Sequence, residues 1–162
     1  MKHRLLYTLL TLCLPLLCSA QSQQDFASIF MARHAENSAL SCATVSPTMM
    51  EKVMQLDADK ADKDTRKISR SLKSCRIVTC KNQAEADDLY NKALTLVRNN
   101  AGRYKPFDKY DGKQLYVRRR GKSIVELILL TNAGGTLTIV DLTGTMDENF
   151  VKQLSSDNET KR

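Results

Sequence analysis

Tyr110-Asp-Gly-Lys-Gln-Leu-Tyr-Val-Arg-Arg-Arg-Gly-Lys-Ser-Ile-Val-Glu-Leu-Ile-Leu-Leu-Thr-Asn-Ala-Gly-Gly-Thr-Leu-Thr-Ile-Val-Asp-Leu-Thr143 decides the fold. Asp111-Gly112 is a strong hairpin signal, because both residue types tolerate the positive φ of a tight turn. Residues 114–120 then alternate, with Leu115 and Val117 on one side and Tyr116, Arg118 and Arg120 on the other. Gly121-Lys122 turns the chain a second time. Residues 124–131 form an apolar run interrupted by Glu126 and closed by Thr131, the pattern of a central strand. Residues 132–135 make a third turn, and 136–143 read as the last strand. With a further strand over 104–110, the stretch predicts a four-stranded meander.

Upstream of the meander, residues 83–98 carry Ala86, Leu89, Tyr90, Ala93, Leu96 and Val97 at helical spacing. Glu85, Asp87 and Asp88 suit the positive end of that helix and Arg98 the negative end. Asn99-Asn100-Ala101-Gly102 ends it. Residues 76–80 read as a strand, preceded by a short helix with Ile68 and Leu72 one turn apart. Residues 57–64 form a charged linker. They lack the Gly, the third ligand and the closing Glu of a calcium-binding EF-hand loop. Ser46-Pro47 starts a helix, with Ser as cap and Pro at the first helical position. Met49, Met50, Val53 and Met54 are expected to line its buried side. Residues 40–45 are β-compatible, and 25–33 form a helix with Phe26, Ile29 and Phe30 on one face. At the other end, 147–154 read as a short helix with Phe150, Val151 and Leu154 apolar. Residues 155–162 contain no apolar side chain, so a disordered tail is expected. The predicted fold is α+β: a two-layer sandwich of a mainly antiparallel sheet, ending in the meander, with the helices packed on one face.

The chain start has the order of a secretory signal peptide. Lys2, His3 and Arg4 precede an apolar stretch over 5–17, and small residues Cys18, Ser19 and Ala20 follow. Cleavage between Ala20 and Gln21 is expected, giving a signal peptide at 1–20, one domain over 21–154 and the tail at 155–162. The apolar stretch is shorter than the roughly 20 residues of a membrane span, so no transmembrane helix is expected. Leu16-Leu17 before Cys18 fits a lipoprotein signal poorly. The location implied is secreted or periplasmic. Removing Lys2 and Arg4 from the 25 basic residues leaves 23 against 18 acidic ones, a net charge of +5. With export, this favours an anionic envelope component or an acidic protein as partner over nucleic acid.

Cys42, Cys75 and Cys80 remain after cleavage. A strand over 76–80 puts Cys75 and Cys80 about 17 Å apart, beyond the about 7 Å that a disulfide allows between Cα atoms. Any disulfide should therefore join Cys42 to Cys75 or Cys80, leaving one thiol free.

Several ordered segments resemble a known family. They are Ser46-Pro-Thr-Met-Met50, Leu72-Lys-Ser-Cys-Arg-Ile-Val-Thr79, Leu89-Tyr-Asn-Lys-Ala-Leu94, Tyr110-Asp-Gly-Lys-Gln-Leu-Tyr-Val117, Ile124-Val-Glu-Leu-Ile-Leu-Leu130 and Leu137-Thr-Ile-Val-Asp-Leu-Thr-Gly144. In this order they resemble the domain-of-unknown-function 4252 family of small secreted bacterial proteins. The resemblance implies export and a compact α+β domain, with an envelope-stress or signalling role by analogy. It implies no catalytic residues.

The residues themselves carry little catalytic chemistry. His34 is the one histidine after residue 20, and it lies among polar neighbours just past the first helix. No Gly-x-Ser-x-Gly elbow, phosphate-cradling Gly-rich loop or His/Cys cluster at metal-ligand spacing occurs. Cys75 and Cys80 do not have the Cys-x-x-Cys spacing of thiol redox sites. No cofactor is expected. The feature that stands out is basic and aromatic: Arg103, Tyr104, Lys105, Phe107, Lys109, Tyr110, Lys113, Tyr116, Arg118, Arg119, Arg120 and Lys122 fill two adjacent strands. If Leu115 and Val117 face the helices, then Tyr104, Tyr110, Tyr116, Arg118 and Arg120 share the outer face. Tyr116, Arg118, Arg119, Arg120 and Lys122 are the candidate binding residues. The expected function is non-catalytic binding or sensing of an anionic partner in the envelope. The alternative is a small periplasmic hydrolase, which a deep pocket lined by His34 or convergent acids would favour.

Overall fold

The computed structural model describes residues 24–36, 38–50, 71–110 and 113–156. The meander forms as its turns dictate. Strands β3 (Lys105–Tyr110), β4 (Lys113–Arg120), β5 (Ser123–Ala133) and β6 (Thr136–Met146) pair antiparallel in succession. Between β5 and β6, Gly134 and Gly135 take φ of 57° and 71°. Two successive positive φ values make the tight turn whose twist matches that of the flanking strands. Strand β2 (Leu72–Cys80) adds to the free side of β6, and β1 (Leu40–Val45) adds to β2. The result is one open six-stranded antiparallel sheet in the order β1-β2-β6-β5-β4-β3.

Among the described residues, α1 (Phe26–His34), α2 (Gln83–Asn99) and α3 (Glu148–Ser156) pack on this sheet. Asn82 caps α2 by accepting from the Ala84 N–H at 3.1 Å. The stripe read from the sequence is buried, with Ala86, Leu89, Ala93, Leu96 and Val97 all in the core and Tyr90 packed at its edge. They meet Val78, Ile128, Leu130, Leu137 and Ile139 from the sheet, together with Phe26 and Phe30 of α1. The first face is therefore covered by α1 and α2.

The second face is covered too, which corrects the expectation that all helices share one side. Leu115, Val117, Ile124, Leu127 and Met146 form a separate cluster with Met50 and with Phe150 and Val151 of α3. Leu115 and Val117 thus face the small C-terminal helix, while Tyr116 between them faces α1 and α2. The alternation holds, and both sides of the sheet are buried.

Some boundaries shift. Leu72 opens β2 rather than closing a helix, and Ser155 and Ser156 belong to α3 rather than to a tail. The chain turns helical after Ser46, whose carbonyl accepts from Met49 and Met50. Met50 is buried but Met49 is 57% exposed, so the expected methionine stripe is not buried at its first member. Val53, Met54, the charged linker, Ile68, the signal peptide and the end of the tail lie outside the described residues. Among those described, no helix is long and apolar enough to cross a membrane.

Candidate functional site

The same strands that carry the apolar core continue into a polar end of the first face. A bulge between β4 and β5 makes this possible. Arg118 pairs with Glu126 and Arg119 with Ile124, so Val125 is the extra residue. The bulge turns Glu126 to the helix side, although Ile124, two residues earlier, points to the opposite cluster. Asp141 lies on the same side in β6, opposite Ile128 of β5 and Arg76 of β2.

Helix α1 ends on these two acids. An α-helix starts with N–H groups that have no partner inside the helix, and its dipole is positive there. Asp25 caps the helix, with Oδ1 accepting from the Ser28 N–H at 2.7 Å. The Phe26 N–H donates to Glu126 Oε1 at 2.6 Å, and the Ala27 N–H donates to Asp141 Oδ2 at 2.8 Å. Three carboxyl groups, one local and two from the sheet, thus satisfy three successive donors.

Glu126 is fully buried, yet its charge is well compensated. Arg118 Nε donates to Oε2 at 2.5 Å, Arg103 Nη2 lies 3.7 Å from the same oxygen, and the Tyr104 hydroxyl donates to Oε1 at 3.4 Å. Arg103 also donates to the Gln24 carbonyl and lies over the Tyr104 ring at 5.2 Å. Asp141 is equally buried but poorly compensated. Its Oδ1 has no hydrogen-bond partner among the described residues. Burial and then the neighbouring Glu126 charge push its carboxyl up to about 8, so it is largely a neutral acid near pH 7. Arg76 reaches Asp25 Oδ2 at 3.5 Å and donates to Ser28 Oγ, joining β2 to the same helix end.

Beside this buried cluster the sheet face opens into a cleft of about 500 Å³. Lys73 of β2, Arg118 and Arg120 of β4, Ser123 of β5, and Thr143 and Thr145 of β6 line it, with Asp25 at the helix end. Lys73 and Arg120 make no ion pair among the described residues. Gly144 closes the cleft floor where β2 and β6 come close. A Cβ there would lie 2.5 Å from the Ser71 carbonyl oxygen and 2.7 Å from Leu72 Cα, so the approach requires glycine.

The candidate residues from the sequence do not share one surface. Tyr116 is buried under the helices, its hydroxyl donating to Gln114 Oε1 at 2.6 Å. Tyr104 is buried as well, and burial raises the phenol of both tyrosines above its ordinary range. Arg118 and Arg120 line the cleft. Arg119 points to the opposite face, where Nη2 pairs with Glu148 of α3 at 2.8 Å. Lys122 is exposed in the β4–β5 turn, outside the cleft. The Tyr110 side chain lies outside the described residues. The expectation of an outward basic and aromatic face is therefore corrected: Tyr104 and Tyr116 are core, and only alternate arginines reach one opening. Sequence reasoning missed Lys73, Asp25 and the buried pair Glu126 and Asp141. Their signal was present, since each acid of the pair interrupts an apolar strand.

The three cysteines among the described residues are free: Cys42 is exposed on edge strand β1, while Cys75 and Cys80 are buried in clusters on opposite faces. The expected pairing of Cys42 with Cys75 or Cys80 is not formed in this structure. Burial, and then the Asp141 charge, raises the Cys75 thiol. His34 lines a shallower groove of about 410 Å³ with Arg33, Asp88, Lys92 and Thr95. Its ring packs 4.8 Å from Phe30, and burial, with the Lys92 and Arg33 charges, lowers its pKa. No hydroxyl or thiol among the described residues is hydrogen-bonded to the His34 ring. No group of His, Cys, Asp and Glu among them is arranged to hold a metal ion.

Fold and cleft together define an open antiparallel α+β domain with a basic recess at one end of its sheet. The chain belongs to the domain-of-unknown-function family DUF4252, whose family model matches residues 34–154. No curated protein and no solved structure matches it.

Proposed function

We propose that this chain is an exported, non-catalytic protein of the bacterial envelope that binds an anionic partner through the polar end of its sheet. The carrying observation is the cleft in which Lys73, Arg118 and Arg120 converge with one carboxylate, Asp25, whose two oxygens already face the Ser28 N–H and Arg76. The basic, apolar and small-residue order of residues 1–20 supports export. The resemblance to secreted bacterial proteins supports an envelope role, by analogy in signalling or stress response.

A charge-matched comparison on an immobilised sulfated polysaccharide tests the reading. Lys73→Gln with Arg120→Gln removes two charges from the cleft. Lys81→Gln with Lys105→Gln removes the same charge from exposed sites elsewhere. The cleft variant should elute at distinctly lower salt than the control variant, because only it loses convergent charge. Elution of both at the same salt would show that the chain has net positive charge and no binding face.

A further inference from the structure

We propose that the cleft is a subsite for a single phosphate monoester group, carried by a small molecule or a lipid headgroup. This rests on the anionic reading above and names its ligand chemistry. The lining carries three positive groups, Lys73, Arg118 and Arg120, and one negative group, Asp25, a net formal +2. A phosphate monoester carries about −1.5 to −2 at neutral pH, whereas a carboxylate carries −1. The charge therefore suits the phosphate dianion.

The geometry of Arg118 makes the site directional. Its Nε–H is held by the buried Glu126 at 2.5 Å. Its two Nη groups make no hydrogen bond among the described residues, and the side chain lines the cleft. A guanidinium clamped along one edge leaves a planar pair of donors for two phosphate oxygens, which a lysine cannot present. Lys73 brings charge from the start of β2 and Arg120 from the end of β4, two residues beyond Arg118, and the hydroxyls of Ser123 and Thr145 add neutral donors. Helix α1 does not supply the site, since its first N–H groups are already held by carboxylates. The acids behind the cleft do not oppose an anion either: Glu126 is neutralised by its arginines, and Asp141 is mostly protonated near neutrality. A volume of about 500 Å³ exceeds a bare phosphate and falls within the range of small-ligand pockets, so a substituent fits beside the anion.

Inorganic phosphate titrated at constant ionic strength, read by amide chemical shifts, tests this. The amides of Ser123, Thr143 and Gly144 should shift saturably. Lys73→Gln with Arg120→Gln should weaken binding at least tenfold with the remaining spectrum unchanged. Between pH 5 and 7.5, binding of glycerol phosphate should tighten up to about tenfold as the monoester dianion forms near pH 6, and sulfate binding should stay flat. Glycerol phosphate in solution and vesicles holding phosphatidic acid in phosphatidylcholine separate the two sources. Saturable, variant-sensitive binding of either supports the subsite and tells which carrier it accepts. Non-saturating phosphate shifts, or a flat glycerol phosphate profile, overturn the subsite. If the column contrast persists in that case, the broader anionic face stands; if it is also absent, both readings fall.

Discussion

Under α2, the strands of the first sheet face present Ile128, Leu130, Leu137 and Ile139, all fully buried among apolar neighbours. Two residues further along the same two strands, they present Glu126 and Asp141, buried as deeply, against the start of α1. The apolar end is held by area removed from water, which is indifferent to orientation. The polar end is held by directed hydrogen bonds, which fix where α1 begins and how Arg118 is turned. The comparison teaches that burial alone does not separate core from site. The apolar end tolerates repacking, while the polar end depends on each partner being present. It also explains why α1, most of which precedes the family match at residues 34–154, is an integral part of the domain. Its donors are satisfied by strands inside that match.

The largest effect should come from Glu126→Ala. It leaves the Phe26 N–H, the Tyr104 hydroxyl and the two arginines without their shared acceptor. Breaking a buried charge pair costs about 3–5 kcal/mol. Urea unfolding should show a loss in that range, at least as large as the about 2–5 kcal/mol of Leu130→Ala at the apolar end. Glu126→Gln should lose less, because it still accepts from Phe26. A loss under about 1 kcal/mol for Glu126→Ala would remove the distinction between the two ends.

Asp141 sharpens the comparison through pH. Its folded pKa, about 8, lies above the about 3.9 of an unfolded aspartate. The native state therefore binds the extra proton between these values. The neutral acid's share of stability is fully present below about pH 4 and is lost as pH rises through about 8. The groups facing it are Glu126, Asp25, Arg76 and the Ala27 N–H. Asp141→Asn keeps an acceptor for Ala27 and cannot ionise. Relative to the wild type it should gain stability as pH rises from 4 to 8, reaching roughly 4 kcal/mol at pH 7. Parallel stability curves for the two proteins across that range would show that Asp141 is ionised in the fold.

The apolar half was the legible half. Period-two and helical spacing placed all four strands of the meander and the main helix, because side-chain period follows directly from backbone geometry. The polar half was legible only as interruption. Glu126 stood out as an acid inside an apolar strand and Asp141 did not, and alternation does not reveal what an acid meets across the fold. Two features hid the site further. The bulge at Val125 moves Glu126 to the face opposite Ile124, and no local residue pattern announces it. The second apolar cluster, closed by Phe150 and Val151, buries the side of Leu115 and Val117 that also fits a helix-facing surface. Alternation fixes which residues share a side, while tertiary packing decides which side meets the main helices. Lys73 sits at a register shift between β2 and β6, in a segment whose hydrophobic spacing resembled a helix end.

The smallest effects should separate the three consecutive arginines, which look equivalent in the chain. Arg118 is bonded to a fully buried carboxylate, whereas Arg119 pairs with Glu148, which is 53% exposed. Arg120 has no ion pair among the described residues. Exposed ion pairs contribute about 0.2–1 kcal/mol because water screens them and two long side chains lose freedom. Arg119→Ala should therefore cost under about 1 kcal/mol, and its cost should shrink at 1 M salt. Arg120→Ala should fall within about 0.5 kcal/mol of the wild type. The order Arg118, Arg119, Arg120, measured by urea unfolding, follows the burial of each partner rather than the charge removed, which is the same in all three. Equal costs for Arg119→Ala and Arg118→Ala would mean that Glu126 draws its stability from α1 and Arg103 alone. Arg118 would then be free to move, and its fixed orientation toward the cleft would have no support.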